Sequence, residues 1–129
     1  MPYRGVDLAK AGEDRTVISL LLAIRIESEA NLHEHRMVKA NRVKLQRSIA
    51  RTTIVQKFGR ALPGVNYTVI LTRIAPRPLD TDNLARSFKA IRDGIADALG
   101  IDDGSKRLTW SYAQEKGPPK RYAIRIEIQ

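Results

Sequence analysis

Six of the chain's 14 acids fall within one stretch, Asp80, Asp82, Asp93, Asp97, Asp102 and Asp103, in a protein whose other long polar segments are basic. Asp80 and Asp82 are two apart in what reads as extended chain after Pro78, a spacing that points both side chains the same way, toward one cation. Asp103 follows a predicted helix and belongs with them if the chain after Leu99 doubles back or if a second subunit brings its own Asp103 near. Three carboxylates near one point repel and raise one another's pKa, so they need a cation or a donor among them. Oxygen-only ligands select Mg²⁺ or Mn²⁺ over zinc. Such an ion polarises a phosphodiester oxygen, helps to generate hydroxide and steadies the leaving oxygen. No Ser-His-Asp, Cys-His, Walker or Gly-rich dinucleotide motif offers a rival chemistry. A purely structural reading stands beside this one. Asp82 or Asn83 can cap the helix that follows, and Asp102-Asp103-Gly104 can be an ordinary turn. The positive end of a helix also disfavours a cation, although it favours a phosphate next to that cation.

The acids sit between elements that the apolar pattern marks out. From Thr16 to Ile26 apolar residues recur two apart (Ile18, Leu20, Leu22, Ile24, Ile26), with Val17, Leu21 and Ala23 between them, which predicts a central strand covered on both faces. Glu27 to Asn31 breaks the pattern. From about His33 to Phe58 there is no Gly or Pro, and Val38, Leu45 and Ile49 form a stripe, with Val43, Ala50 and Ile54 beside it: a long helix. Pro63 and Gly64 mark a turn, and Val65 to Ile74 reads as a second strand, stopped by Pro76 and Pro78. Leu84, Phe88, Ile91, Ile95 and Leu99 step by three or four and predict a helix of about 17 residues, roughly 25 Å long. Gly100 should end it. Leu108, Trp110 and Tyr112, then Tyr122, Ile124, Ile126 and Ile128, read as a closing hairpin around Gly117-Pro118-Pro119. The order β-α-β-α-β-β predicts an α+β fold: one small domain, residues 1–129, with a mixed sheet and two helices. Residues 1–15 read as a loose N-terminal arm.

Composition narrows the class of partner. Lys plus Arg number 23 against 14 acids, a net charge of +9, which points to a polyanion and first to nucleic acid. The first predicted helix carries Arg36, Lys39, Arg42, Lys44, Arg47, Arg51 and Lys57. Among these Arg36, Arg42, Lys44 and Arg47, together with Lys89 from the second helix, are candidates for DNA contact; the alternative is a solvated helix face. His33 and His35 fit a polar helix start better than a ligand pair. No apolar run approaches the roughly 20 residues that span a bilayer, so no membrane association is expected. The absence of Cys fits a reducing compartment, and the cytoplasm is the expected location.

The run Leu79-Asp80-Thr81-Asp82-Asn83-Leu84, a helix, Asp97-Ala98-Leu99 and then Asp102-Asp103 resembles the signature of RusA-like Holliday junction resolvases, over about half the chain. The resemblance implies a homodimer that cuts four-way or other branched DNA with Mg²⁺ or Mn²⁺. It also implies Asp80, Asp82 and Asp103 as metal-binding and catalytic carboxylates. The family has a catalytically important lysine four residues after the second Asp; here that place is Arg86, which keeps the charge but cannot give up a proton. Lys89, one turn on, can substitute. The early loop, Glu27 to His33, keeps Ser28, Asn31 and His33 of the family pattern but has no Pro or Trp. Two further readings stay open: a non-catalytic DNA-binding protein on the same fold, and an adaptor whose basic face binds an acidic protein.

Overall fold

The structure, a computed structural model, describes residues 18–27, 36–59 and 66–129. The predicted N-terminal arm, the His33 and His35 pair, most of the Glu27 to His33 loop and the Pro63-Gly64 turn lie outside the described residues. The elements are β1 (Ile18–Leu22), α1 (Arg36–Phe58), β2 (Tyr67–Ala75), α2 (Thr81–Ser87), α3 (Lys89–Leu99), β3 (Leu108–Lys116) and β4 (Ala123–Ile128). They form an α+β unit with one four-stranded mixed sheet.

The sheet order is β1-β4-β2-β3. β4 runs antiparallel to both β1 and β2, while β3 runs parallel to β2. The expected closing hairpin is therefore not a paired one, because β2 lies between β3 and β4. The reason is visible in the burial. β4 is deeply covered, with Ile124, Ile126 and Ile128 fully buried, and a strand this apolar gains much from two neighbours. β1, expected to be central, is an edge strand whose outward Leu21 is 66% exposed.

Alternation within each strand builds rows that cross the sheet. Ile18, Ile128, Val69 and Trp110 make one row, and Leu20, Ile126, Leu71 and Tyr112 the next. These face the helices and join the core with Leu84, Phe88, Ile91, Ile95 and Leu99, all buried as the stripe predicted. The third row, Leu22, Ile124, Arg73 and Gln114, turns polar on the two parallel strands. That end of the sheet leads directly into the acidic stretch.

The second predicted helix comes in two pieces. Ser87 Oγ donates to the Leu84 carbonyl (2.7 Å), a back-bond that competes with the helical ladder, and Phe88 leaves the helical region at φ −91°, ψ 5°. α3 ends where expected, with Gly100 in the left-handed conformation at φ 70°.

The buried face of α1 differs from the predicted stripe. Gln46, Ala50 and Ile54 are buried, whereas Val38 and Leu45 are 53% and 61% exposed. The crossing with α3 decides this: a Cβ on Gly94 would lie 2.3 Å from the Arg47 carbonyl oxygen and 2.9 Å from Ala50 Cβ. Two backbones that approach so closely need small residues at the crossing, and the larger Val38 and Leu45 are turned away from it. The Arg47 guanidinium closes the same crossing with two bonds to Asp97, at 2.7 and 3.0 Å.

Candidate functional site

Polar contacts made by buried Arg73 and exposed Gln114 set the path into the acidic stretch. The Arg73 guanidinium, 4% exposed, donates to the Ile26 carbonyl (2.8 Å) and the Arg77 carbonyl (2.6 Å) and lies 3.6 Å from Glu27. It ties the end of β1's extension to the Pro76–Pro78 turn. Gln114, beside it in the third row, takes both backbone groups of Leu79: the Leu79 N–H donates to Oε1 (2.7 Å), and Nε2 donates to the Leu79 carbonyl (2.8 Å). The residue before Asp80 is thus fixed as if paired to β3.

Asp80 then stands at the N-cap of α2, with extended φ −63° and ψ 153°, and its side chain makes no capping bond. Asp82 lies in the first helical turn, so the two acids are not both in extended chain as the alternation argument required. They are about 3 Å apart along the helix axis instead, by the rise per residue. Both are exposed, and neither carboxylate has a hydrogen bond or ion pair among the described residues. The capping reading for Asp82 and Asn83 does not hold, because α2 begins before them.

The chain after Leu99 does double back. The Asp102 carboxylate accepts the Gly104 N–H (3.1 Å), so Asp102 is the turn residue of the pair. The Trp110 indole N–H donates to the Asp103 carbonyl (3.0 Å) and holds that residue beside the start of α3. Asp103 Oδ2 meets Lys89 Nζ at 3.1 Å and an Arg92 guanidinium nitrogen at 3.6 Å. Lys89 also reaches Asp93 (2.9 Å), one turn along α3. The hydrogen bond from Lys89 holds the Asp103 carboxyl below its ordinary range, against the desolvation that raises it. Bonds to Asp93 and Asp103 raise Lys89 in return. Arg92 lies over the Trp110 ring, 4.9 Å from its centre, and its buried Nε has no partner among the described residues. Tyr112, on the same side of β3, is raised by burial.

Asp103 therefore spends its carboxylate on two cations, while Asp80 and Asp82 lie at the start of α2. Among the described residues no three acidic, His or Cys side chains stand close enough together to hold a metal ion. The two free carboxylates remain a donor set that suits a hard cation sharing its other positions with water and phosphate oxygens.

The expected DNA-contacting residues divide. Arg36 and Lys44 are exposed on α1. Arg47 is held by Asp97, whose carboxyl that bond depresses, and Lys89 is held by Asp93 and Asp103. Arg42 and Lys89 line one cleft of about 190 Å³ between α1 and the α2–α3 pair, together with Lys39, Gln46 and Arg86. A second, wider depression of about 580 Å³ opens at the end of β2, where Arg25, Arg77 and Lys120 surround Leu79 and Tyr122. The Lys89 and Asp93 pair was readable from its spacing of four. Arg73 left a weaker signal, a cation at an inward strand position. Gln114 and Trp110 act through tertiary contacts that no local pattern announces.

No protein-family model matches the chain, and the search of curated proteins found no match to it. No helix among the described residues is long and apolar enough to cross a membrane.

Proposed function

We propose that the chain is a divalent-metal-dependent endonuclease acting on four-way (Holliday) or otherwise branched DNA, and that it works as a homodimer like the resolvases its acidic stretch resembles. The observation that carries this reading is the pair of exposed, unpartnered carboxylates, Asp80 and Asp82, held at the start of a helix by a doubly bonded Leu79.

Asp80 and Asp82 would hold Mg²⁺ or Mn²⁺, which supplies polarisation of the phosphodiester and a more acidic attacking water. The α2 N-terminus beside them favours the scissile phosphate. Arg86, one turn beyond Asp82, binds phosphate and cannot transfer a proton. Asp103 is engaged by Lys89 and Arg92, and would be open to an ion only if they release it.

That engagement of Asp103 favours one second reading, a DNA-binding protein on the same fold that does not cut. Cleavage of a labelled four-way junction beside a linear duplex of the same sequence, with and without Mg²⁺, separates the two. Paired, metal-dependent cuts in the junction alone, lost in Asp82→Asn while binding persists, are the expected result. Tight, metal-independent binding without cuts would leave the second reading in place.

A further inference from the structure

The depression at the end of β2 combines a flat stacking surface with cations. The Arg25 guanidinium lies over the Tyr122 ring, 4.1 Å from its centre, and an ion pair with Glu27 fixes it. Pro76, Pro78, Leu79 and Pro119 add apolar wall. The surface is formed before anything binds, because buried Arg73 holds the Arg77 carbonyl and Gln114 holds Leu79. Its volume of about 580 Å³ falls within the roughly 300–1,000 Å³ of pockets that take small organic molecules. Lys120 supplies an independent observation. The Arg121 N–H donates to the Pro118 carbonyl (3.2 Å) and closes a β-turn whose third residue, Lys120, has φ 60°. With Pro119 at the second place this is a type II turn, in which glycine is favoured at the third. A lysine there is strained, and its ammonium has no hydrogen bond or ion pair among the described residues to offset the strain. Arg77, which also lines the depression, has none for its side chain either. The one acid in the lining, Glu27, is engaged by Arg25 and Arg73.

We propose that this depression seats one unpaired nucleotide, its base stacked on the Arg25–Tyr122 pair and its phosphates met by Arg77 and Lys120. Every nucleobase has a π face that stacks on an aromatic ring or an arginine plane, and cations beside that surface bind the phosphates. A base inside a duplex has both faces covered by its neighbours, so only one that has left the stack can enter. An acidic peptide would match the cations and leave the stacking surface unused. That DNA supplies the nucleotide rests on the reading under Proposed function. Leu79 lies in the wall and Asp80 is the next residue, so a strand seated here runs beside the acid pair. Branch points offer unstacked nucleotides and intact duplex does not. The depression would thus make the site selective for branched DNA.

The test is binding in EDTA, where cutting does not intervene. Fluorescence anisotropy is read on three labelled DNAs of one sequence: a duplex, the duplex with a one-nucleotide bulge, and the same bulge without its base. The parent should bind the bulge that keeps its base about tenfold more tightly than the abasic one, the scale of one stacked base. Tyr122→Leu and Arg25→Gln should each erase that preference. Lys120→Gly relieves the turn, so its melting temperature should rise by a few degrees while its affinity for both bulges falls. Its slope of log affinity against log salt should drop by about 0.7, one single-strand phosphate. A lysine with only a structural role would move stability alone. Equal binding of the two bulges by the parent, or an unchanged preference in Tyr122→Leu and Arg25→Gln, would overturn the proposal. The preference without Mg²⁺-dependent cutting of a four-way junction supports the nucleotide seat and removes the nuclease. Junction cutting without the preference does the reverse. If no DNA binds at low salt both fail, and polyglutamate binding that is lost in Lys120→Gly would then assign the depression to an acidic protein.

Discussion

Gly94→Ala tests the packing that holds the whole polar face together. Alanine is favoured over glycine inside a helix by roughly 0.8–1.0 kcal/mol, so in an open helix the substitution would stabilise the protein. Here the new methyl would sit 2.3 Å from the Arg47 carbonyl oxygen and 2.9 Å from Ala50 Cβ. Carbon-to-oxygen contacts settle near 3.3–3.6 Å, so α1 and α3 must part by about 1 Å. Overpacking of this kind costs roughly 1–3 kcal/mol, and occasionally more, and a backbone atom cannot swing aside as a side chain can. Setting about 3 kcal/mol against the propensity gain leaves a net loss of about 2 kcal/mol. For a chain of this length that lowers the melting temperature by roughly 6–8 °C. Urea unfolding followed by circular dichroism should show the loss as a lower midpoint with an unchanged slope. Adding Ala50→Gly removes the weaker contact and leaves the carbonyl in place, so it should recover little. Equal or greater stability in Gly94→Ala, or full recovery in the double variant, would refute the claim that the carbonyl contact sets the helix spacing.

Replacing Arg73 with Met strips donors from the Ile26 and Arg77 carbonyls, which should cost roughly 2–3 kcal/mol in urea unfolding; a change near zero would deny Arg73 its tethering role. Gln114→Leu frees Leu79, and should lower junction cleavage by more than tenfold while changing the melting temperature by only a few degrees; equal effects on both would make Gln114 merely structural. The pH profile of stability should fall at both ends. Asp97 and Asp103 are depressed from 3.8, so their contribution is present above that value and lost as pH falls through the lower folded ones. Lys89 is raised from 10.5, so its contribution is full below that value and lost as pH rises through the higher folded one. Asp103→Asn should therefore flatten the acid limb, and Lys89→Met the alkaline limb; limbs that stay as steep in these variants would place the titrating groups elsewhere.

What could be read from the sequence follows from how far each signal reaches along the chain. The five-residue stripe from Leu84 to Leu99 and the glycine that ends it depend on one helix's own period, and both hold. The break at Phe88 depends on a serine back-bond that periodicity does not register. Alternation in β1 and β4 fixed which face of each strand is buried, but neighbours in a sheet are chosen by the total apolar area on offer. Ile124, Ile126 and Ile128 therefore drew β4 away from β3 and into the middle. On α1 apolar residues occur on more than one side, and Gly94, more than forty residues away, selects the side that packs. At the site, the nearness of Asp80 and Asp82 to a helix start was legible, but the alternation argument left Asp82 in extended chain, whereas it lies in the first helical turn. Convergence of Asp103 on Asp80 and Asp82 depends on tertiary placement that spacing along the chain does not carry, and the Trp110 indole holds Asp103 where it meets Lys89 and Arg92.

The position of β4 also sets an order of events in synthesis. β1 pairs with no strand except β4 among the described residues, and residues 23–122 separate the two. At ribosomal speeds of about 5–20 residues per second, Ile18, Leu20 and Leu22 wait on the order of 5–20 seconds for their partner. During that interval β2 and β3 can form a parallel pair with the helices on it, but its free edge and the unclaimed β1 are both ready to recruit another chain. A nascent or shortened product lacking β4 would not be a smaller version of the protein. It would be two fragments of a sheet with nothing between them, and chaperones or proteases should meet it as such.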